Sequence, residues 1–112
     1  MTRQSVPGAA NLGEGESVKF RYSEDGQERE GFLLRHGGRL FAYRNQCRHI
    51  PMSMDWEENR FLSRDGCHIQ CATHGALYEI DTGLCVAGPP EGKLLGRFEI
   101  EIDGEDVIVL LP

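Results

Sequence analysis

The sequence predicts an all-β domain of small antiparallel sheets, with a pair of hairpin loops set on a larger barrel-like or sandwich base. Three observations predict it. Short runs alternate apolar and polar residues with period two, as where Val18, Phe20 and Tyr22 interleave with Lys19 and Arg21. These runs come in pairs, and turn residues such as Gly37-Gly38 or Asp103-Gly104 separate the members of each pair. No segment carries a helical period, and there is no internal repeat.

Taken in order, residues 1–15 (MTRQSVPGAANLGEG) are small, glycine-rich and without apolar period, and are expected to form a flexible N-terminal arm. Residues 16–112 are expected to form a single domain. Val18–Tyr22 is a half-buried strand, closed by a turn at Ser23–Gln27. Gly31–Arg35 and Arg39–Tyr43 flank His36-Gly37-Gly38 as a hairpin whose glycines accept positive φ. Phe61–Ser63 and Cys67–Gln70 flank Arg64-Asp65-Gly66 as a further hairpin, and Leu77–Ile80 and Leu84–Val86 flank Asp81-Thr82-Gly83. The last pair is Gly96–Ile102 with Val107–Leu111, where Phe98, Ile100 and Ile102 alternate with charges and leave one face wet.

Bulk properties narrow the function classes. A chain of 112 residues is one domain by length. The net charge of −6 argues against nucleic acid, whose phosphates need a basic face, but not against a protein partner. No apolar run is long enough to span a bilayer and no export signal is visible, so no membrane association is expected. Two of the four cysteines sit in a metal-ligand pattern, which fits a reducing cytoplasm better than a disulfide framework.

That pattern is Cys47-Arg48-His49 with Cys71-Ala72-Thr73-His74. The two halves read C-x-H and C-x-x-H, each putting one thiolate and one imidazole within a turn of backbone. Two sulfur and two nitrogen donors can hold a 2Fe–2S cluster with two cysteines on one iron and two histidines on the other. They can also hold one tetrahedral zinc, so spacing leaves the metal open. Cys67 and His68 are poor candidates as ligands, because along a strand Cys67 lies about 13 Å from Cys71. Both are expected to be ordinary strand residues, Cys85 a small core residue and His36 a solvated turn residue.

The residues around the ligands carry a resemblance. Cys71-Ala72-Thr73-His74-Gly75, followed by Leu77-Tyr78-Glu79, Asp81-Thr82-Gly83 and Gly88-Pro89-Pro90, resembles the second cluster loop of the Rieske 2Fe–2S family. The resemblance spans roughly residues 16 to 111 and implies a Rieske-like fold, with the cluster-binding subdomain at about residues 45–91. It implies that Cys47 and Cys71 hold the buried iron, and His49 and His74 the outer one. It implies a soluble one-electron carrier, monomeric or weakly oligomeric, working between a flavoprotein reductase and a terminal oxygenase or reductase. The alternatives are a zinc-binding interaction module and a cluster-based redox sensor. The chain shows neither a second set of mononuclear-iron ligands nor a G-x-G-x-x-G nucleotide fingerprint, so electron carriage without substrate chemistry is expected.

Departures from the family sharpen the expectation. Respiratory-complex members join the two cluster loops by a disulfide whose positions are Met52 and Thr73 here, which favours the ferredoxin-like or nitrite-reductase-small-subunit-like branch. High-potential members have a serine where this chain has Ala76, while Tyr78 occupies the family's tyrosine position, from which its hydroxyl can donate to a ligand sulfur. Tyr78 as a plain core aromatic is an equal expectation. Pro51, Met52, Met54, Pro89 and Pro90 are expected to rim the cluster, sealing it from water or docking a partner. Glu57, Glu58 and Glu91 are expected to be solvated charges or contacts for a basic reductase.

Overall fold

The computed structural model describes residues 2–46, 60–71 and 75–111. These form nine strands: β1 (Thr2–Val6), β2 (Ser17–Glu24), β3 (Gln27–His36), β4 (Arg39–Arg44), β5 (His68–Gln70), β6 (Leu77–Glu79), β7 (Cys85–Ala87), β8 (Arg97–Asp103) and β9 (Asp106–Leu111). Six make one antiparallel sheet in the order β1-β9-β8-β4-β3-β2, and three make another in the order β5-β6-β7. The all-β expectation holds.

The hairpins form where turn residues fall between apolar runs. Glu24 pairs with Gln27 across Asp25-Gly26, and His36 with Arg39 across Gly37-Gly38. Gly37 and Gly38 both have positive φ, the conformation a two-residue turn needs to follow the twist of its strands. The six-stranded sheet curls on itself. Phe20 and Tyr22 of β2 lie edge-on against Phe98 of β8, with centroids 5.9 and 5.2 Å apart, although β3 and β4 separate those strands in the sheet. One core fills the inside of the curl with Leu33, Ala42, Phe98, Val107, Val109 and Leu111, joined by Val6 and Ala9.

The stretch Phe32-Leu33-Leu34 is buried on both faces, which is why it reads as a continuous apolar run and not as an alternation. Leu33 points into the curl. Phe32 and Leu34, with Phe41 and Tyr43 of β4, belong to a second core that lies under the small sheet. In that sheet Ile69, Tyr78 and Cys85 stand in one cross-strand row, all buried. Phe61 stacks on Phe32 at 3.9 Å between centroids and an 11° interplanar angle. The Tyr43 hydroxyl donates to the Ile80 carbonyl at 2.6 Å, and burial pushes its pKa up to about 12. Among the described residues, this ring stack and this buried hydrogen bond fasten the small sheet's side to the base, together with the Arg97 guanidinium, which donates to the Asp81 carbonyl at 3.1 Å.

Two expectations are corrected. Within residues 2–15, expected to belong to a flexible arm, Thr2–Val6 pairs along its length with β9, and Ala9–Asn11 forms a 3-10 turn. The segment adds only Val6 and Ala9 to the buried core and is otherwise held by backbone and polar contacts, which leave no apolar period. The Ala10 amide donates to the Glu105 carbonyl at 3.0 Å, and the Arg35 guanidinium donates to the carbonyls of Ala10 and Leu12. The Glu14 carboxylate accepts from the Gly37 and Gly38 amides at 2.7 and 3.0 Å, which holds its pKa below the usual value. The second correction concerns Ile102, which is exposed near the tip of the last hairpin, beyond the core that buries Phe98.

Candidate metal centre

Of the second ligand half, Cys71 is among the described residues. Cys71 follows the last residue of β5 and is fully buried. Its amide donates to the Ala76 carbonyl at 2.8 Å, and its carbonyl accepts from the Gly75 amide at 2.9 Å. These two bonds tie Cys71 to Gly75 and Ala76 immediately before β6. Cys71 packs in the core beneath the small sheet, in one cluster with Ile69, Ala76, Tyr78 and Cys85. Isolated in such surroundings a thiolate is costly; bound to a metal it is neutralised where it sits.

A neighbouring loop leans on Ala76. The Cys85 amide donates to the Lys93 carbonyl at 2.8 Å and its carbonyl accepts from the Gly92 amide at 3.0 Å, so Cys85 closes the loop that carries Gly88-Pro89-Pro90. Gly88 approaches the second ligand loop so closely that a Cβ there would lie 2.9 Å from both Cα and Cβ of Ala76. Only glycine fits. Pro90 is buried, whereas Pro89 and Glu91 are exposed.

Cys47, His49 and His74 lie outside the described residues, as do Pro51, Met52, Met54, Glu57, Glu58 and Thr73. The described chain leads toward the first pair through β4, Asn45 and Gln46, and returns at Arg60. There the Gln70 amide donates to the Phe61 carbonyl at 2.7 Å and Leu62 bridges Ile69, so the expected hairpin around Arg64-Asp65-Gly66 forms beside β5. Its turn is held by Asp65, whose carboxylate accepts from the Ser63 hydroxyl at 2.6 Å and the Cys67 amide at 3.0 Å. Those bonds hold the Asp65 carboxyl below its ordinary pKa. Cys67 is exposed in this turn, one residue short of the strand expected to contain it, and His68 is half-buried in β5. His36 lies at the β3–β4 turn with its Nδ1 3.7 Å from Glu14. Among the described residues no group of three or more His, Cys, Asp or Glu is placed to hold a metal, so none of these forms a rival centre.

The sequence marks Asn45 only as the start of the first ligand loop and gives no sign of what holds it or Arg44. Asn45 is buried, an unusual fate for an amide side chain, yet beside a loop it looks like any turn residue. Only the paired geometry of β3 and β4 exposes its role.

Comparison with known proteins agrees with the geometry. The model of the Rieske [2Fe-2S] domain matches residues 2–109. A chain of the complex of reduced oxygenase and oxidized ferredoxin in carbazole 1,9a-dioxygenase superposes with a TM-score of 0.72 at 25% identity, over 96% of this chain and 91% of that one. The ferredoxin of carbazole 1,9a-dioxygenase from Nocardioides aromaticivorans IC177 gives 0.70 at 23% identity, over 97% of both chains. The Sphingomonas yanoikuyae B1 ferredoxin gives 0.73 at 21% identity, over 99% of this chain and all of that one. The search of curated proteins returned no significant relative. With a curled six-stranded base, a three-stranded sheet ending in a buried cysteine, and a family match covering nearly the whole length, the chain belongs to the Rieske [2Fe-2S] domain family, whose cofactor is a 2Fe–2S cluster.

Proposed function

We propose that this protein is a ferredoxin-type carrier that moves one electron at a time, with Cys47, His49, Cys71 and His74 as the ligands of its cluster. The observation that carries the reading is Cys71. It is a fully buried sulfur tied to Gly75 and Ala76 immediately before β6, at the first position of C-x-x-H, in a chain matched to the family from residue 2 to 109. The donor set fits the group: two thiolates and two neutral imidazoles neutralise an oxidised cluster, so adding an electron costs little in a low-dielectric site. When bound, the cluster supplies a one-electron couple.

The chain's own residues supply placement and insulation. Cys71 and the core row Ile69–Tyr78–Cys85 keep the inner side apolar. The loop closed by Cys85 is seated through Gly88 on Ala76, which itself bonds to Cys71. Two ferredoxins of similar length are among the related structures, and the complex of oxygenase and ferredoxin favours a terminal oxygenase as the electron acceptor. The donor in this reading is a flavoprotein reductase. Cysteines read as ligands and free thiols, with no disulfide pattern, fit a reducing compartment, so the cytoplasm is the proposed location; among the described residues no helix is long and apolar enough to cross a membrane.

A redox titration of the purified protein tests the reading. One electron per chain should be taken up reversibly, followed by bleaching of the visible absorption. A colourless protein that accepts no electron would overturn it.

A further inference from the structure

Arg44, the last residue of β4, and Asn45, the next residue toward Cys47, are held from opposite sides. The Arg44 amide donates to the Gly96 carbonyl at 2.7 Å, ahead of β8. Its guanidinium donates to both carboxylate oxygens of Glu24 at 2.8 and 2.9 Å and to the Tyr22 hydroxyl at 2.8 Å. It also lies over the rings of Phe98 and Tyr22, 5.1 and 5.7 Å from their centroids. Gly96 makes this possible, since a Cβ there would overlap the Arg44 side chain.

Asn45 is held on the other side, by β3. Its amide donates to the Glu30 carbonyl at 3.0 Å, and its Nδ2 donates to the Glu30 carboxylate at 3.1 Å. The β3–β4 ladder ends at Gly31 opposite Arg44, so these bonds add one further rung in which a side chain takes part. Backbone and side chain bound to one residue fix the twist of the chain as well as its place. A buried amide costs free energy unless it is hydrogen-bonded, so the geometry at Glu30 is held tightly.

We propose that Arg44 and Asn45 are positioning residues for the cluster: they set the direction in which the chain leaves β4, and through it the placement of Cys47 against Cys71. The inference rests on reading Cys47 as a ligand. Groups that orient metal ligands narrow the range of geometries the centre adopts and slow loss of the metal.

The test exploits the Asn45–Glu30 bond. Asn45→Asp keeps the size but sets a carboxylate against the Glu30 carboxylate. Adding Glu30→Gln restores a donor and an acceptor with their roles exchanged, at the wild-type net charge. Cluster release to a chelator and the linewidth of the paramagnetic resonance of the reduced protein are measured for wild type, single and double variants. The single variant should release iron about tenfold faster or more and show broadened lines, and the double variant should return both toward wild type. Wild-type release and linewidth in the single variant would overturn the inference, and so would a double variant as defective as the single one. If Asn45→Asp does not fold, Arg44→Lys, which keeps the charge but loses the two-pronged grip on Glu24, should show the same two changes in smaller degree; wild-type behaviour there would overturn it instead. Failure of the electron-carrier reading would appear differently, as absence of the cluster from the wild-type protein.

Discussion

The base and the small sheet are built on different terms. Base strands run from five residues in β1 to ten in β3, and their ladders supply the core inside the curl almost alone. The small sheet has three strands of three residues each, and its core draws on residues outside any strand, among them Phe61, Cys71, Ala76, Ile80 and Leu95. A sheet so short does not hold itself together in water. It borrows from the base through the Phe32–Phe61 stack and the Tyr43–Ile80 bond, and in the holoprotein from the metal. On the proposed reading, the difference makes the base a scaffold held by its own ladders and the small sheet a mount completed by what it carries.

The largest effect that would break this contrast is loss of a ligand. Cys71→Ser should abolish most cluster binding. Amide exchange should then quicken in β5–β7 while β2–β4, β8 and β9 keep their protection; equal loss of protection in both sheets would show them to be one cooperative unit.

Next comes the fastening. Tyr43→Phe removes a buried hydrogen bond between the sheets and leaves the Ile80 carbonyl without that donor, which should cost about 1–3 kcal/mol in denaturant unfolding. The same tyrosine sets an alkaline limit. Its folded pKa is raised from 10.0 to about 12, so its contribution is fully present below pH 10.0 and is lost as pH climbs toward 12. Stability measured against pH should fall over that window in the wild type and less steeply in Tyr43→Phe.

A smaller effect separates the two cysteines left over from the ligand pattern. Cys85→Ala removes a buried sulfur under the small sheet and should cost about 1 kcal/mol, whereas Cys67→Ser, at an exposed turn, should stay within about 0.5 kcal/mol. Iron content should be unchanged in both; loss of iron in either would mean that the ligands are wrongly assigned.

The finest effect lies in the potential. Hydrogen bonds to cluster and ligand sulfurs favour the reduced state, and Ala76 lacks the hydroxyl that high-potential relatives have there. The wild-type potential should fall in the lower part of the Rieske range of about −150 to +300 mV. Ala76→Ser should raise it and Tyr78→Phe lower it, each by tens of millivolts, where 59 mV is tenfold in a one-electron equilibrium. Ala76 and Tyr78 are both fully buried, close to Cys71 in the core, so voltammetry on the two variants reads effects within one cluster of packed residues.

Much of this was legible in the sequence because it follows from local rules. Gly37-Gly38 and Asp25-Gly26 marked their turns by backbone chemistry, and the apolar runs on either side of Gly37-Gly38 marked the β3–β4 hairpin. Cys71 was singled out by its spacing from a histidine, and the structure buries it at the end of β5. What escaped depends on partners distant in the chain. Thr2–Val6 is a strand only because β9 offers it an edge, and its own residues are mostly exposed and polar. Asn45 reads as a loop residue until Glu30 is brought beside it. Gly88 reads as part of a proline loop, and nothing in the sequence says that its missing side chain makes room for Ala76.

The central claim is that the small sheet mounts a 2Fe–2S cluster with two cysteine and two histidine ligands. Paramagnetic resonance of the dithionite-reduced protein, with iron and labile sulfide counted on the same sample, tests it most directly. The account predicts about two irons and two sulfides per chain and a rhombic signal with a mean g below that of all-cysteine clusters. One zinc per chain, no sulfide and no signal would contradict it.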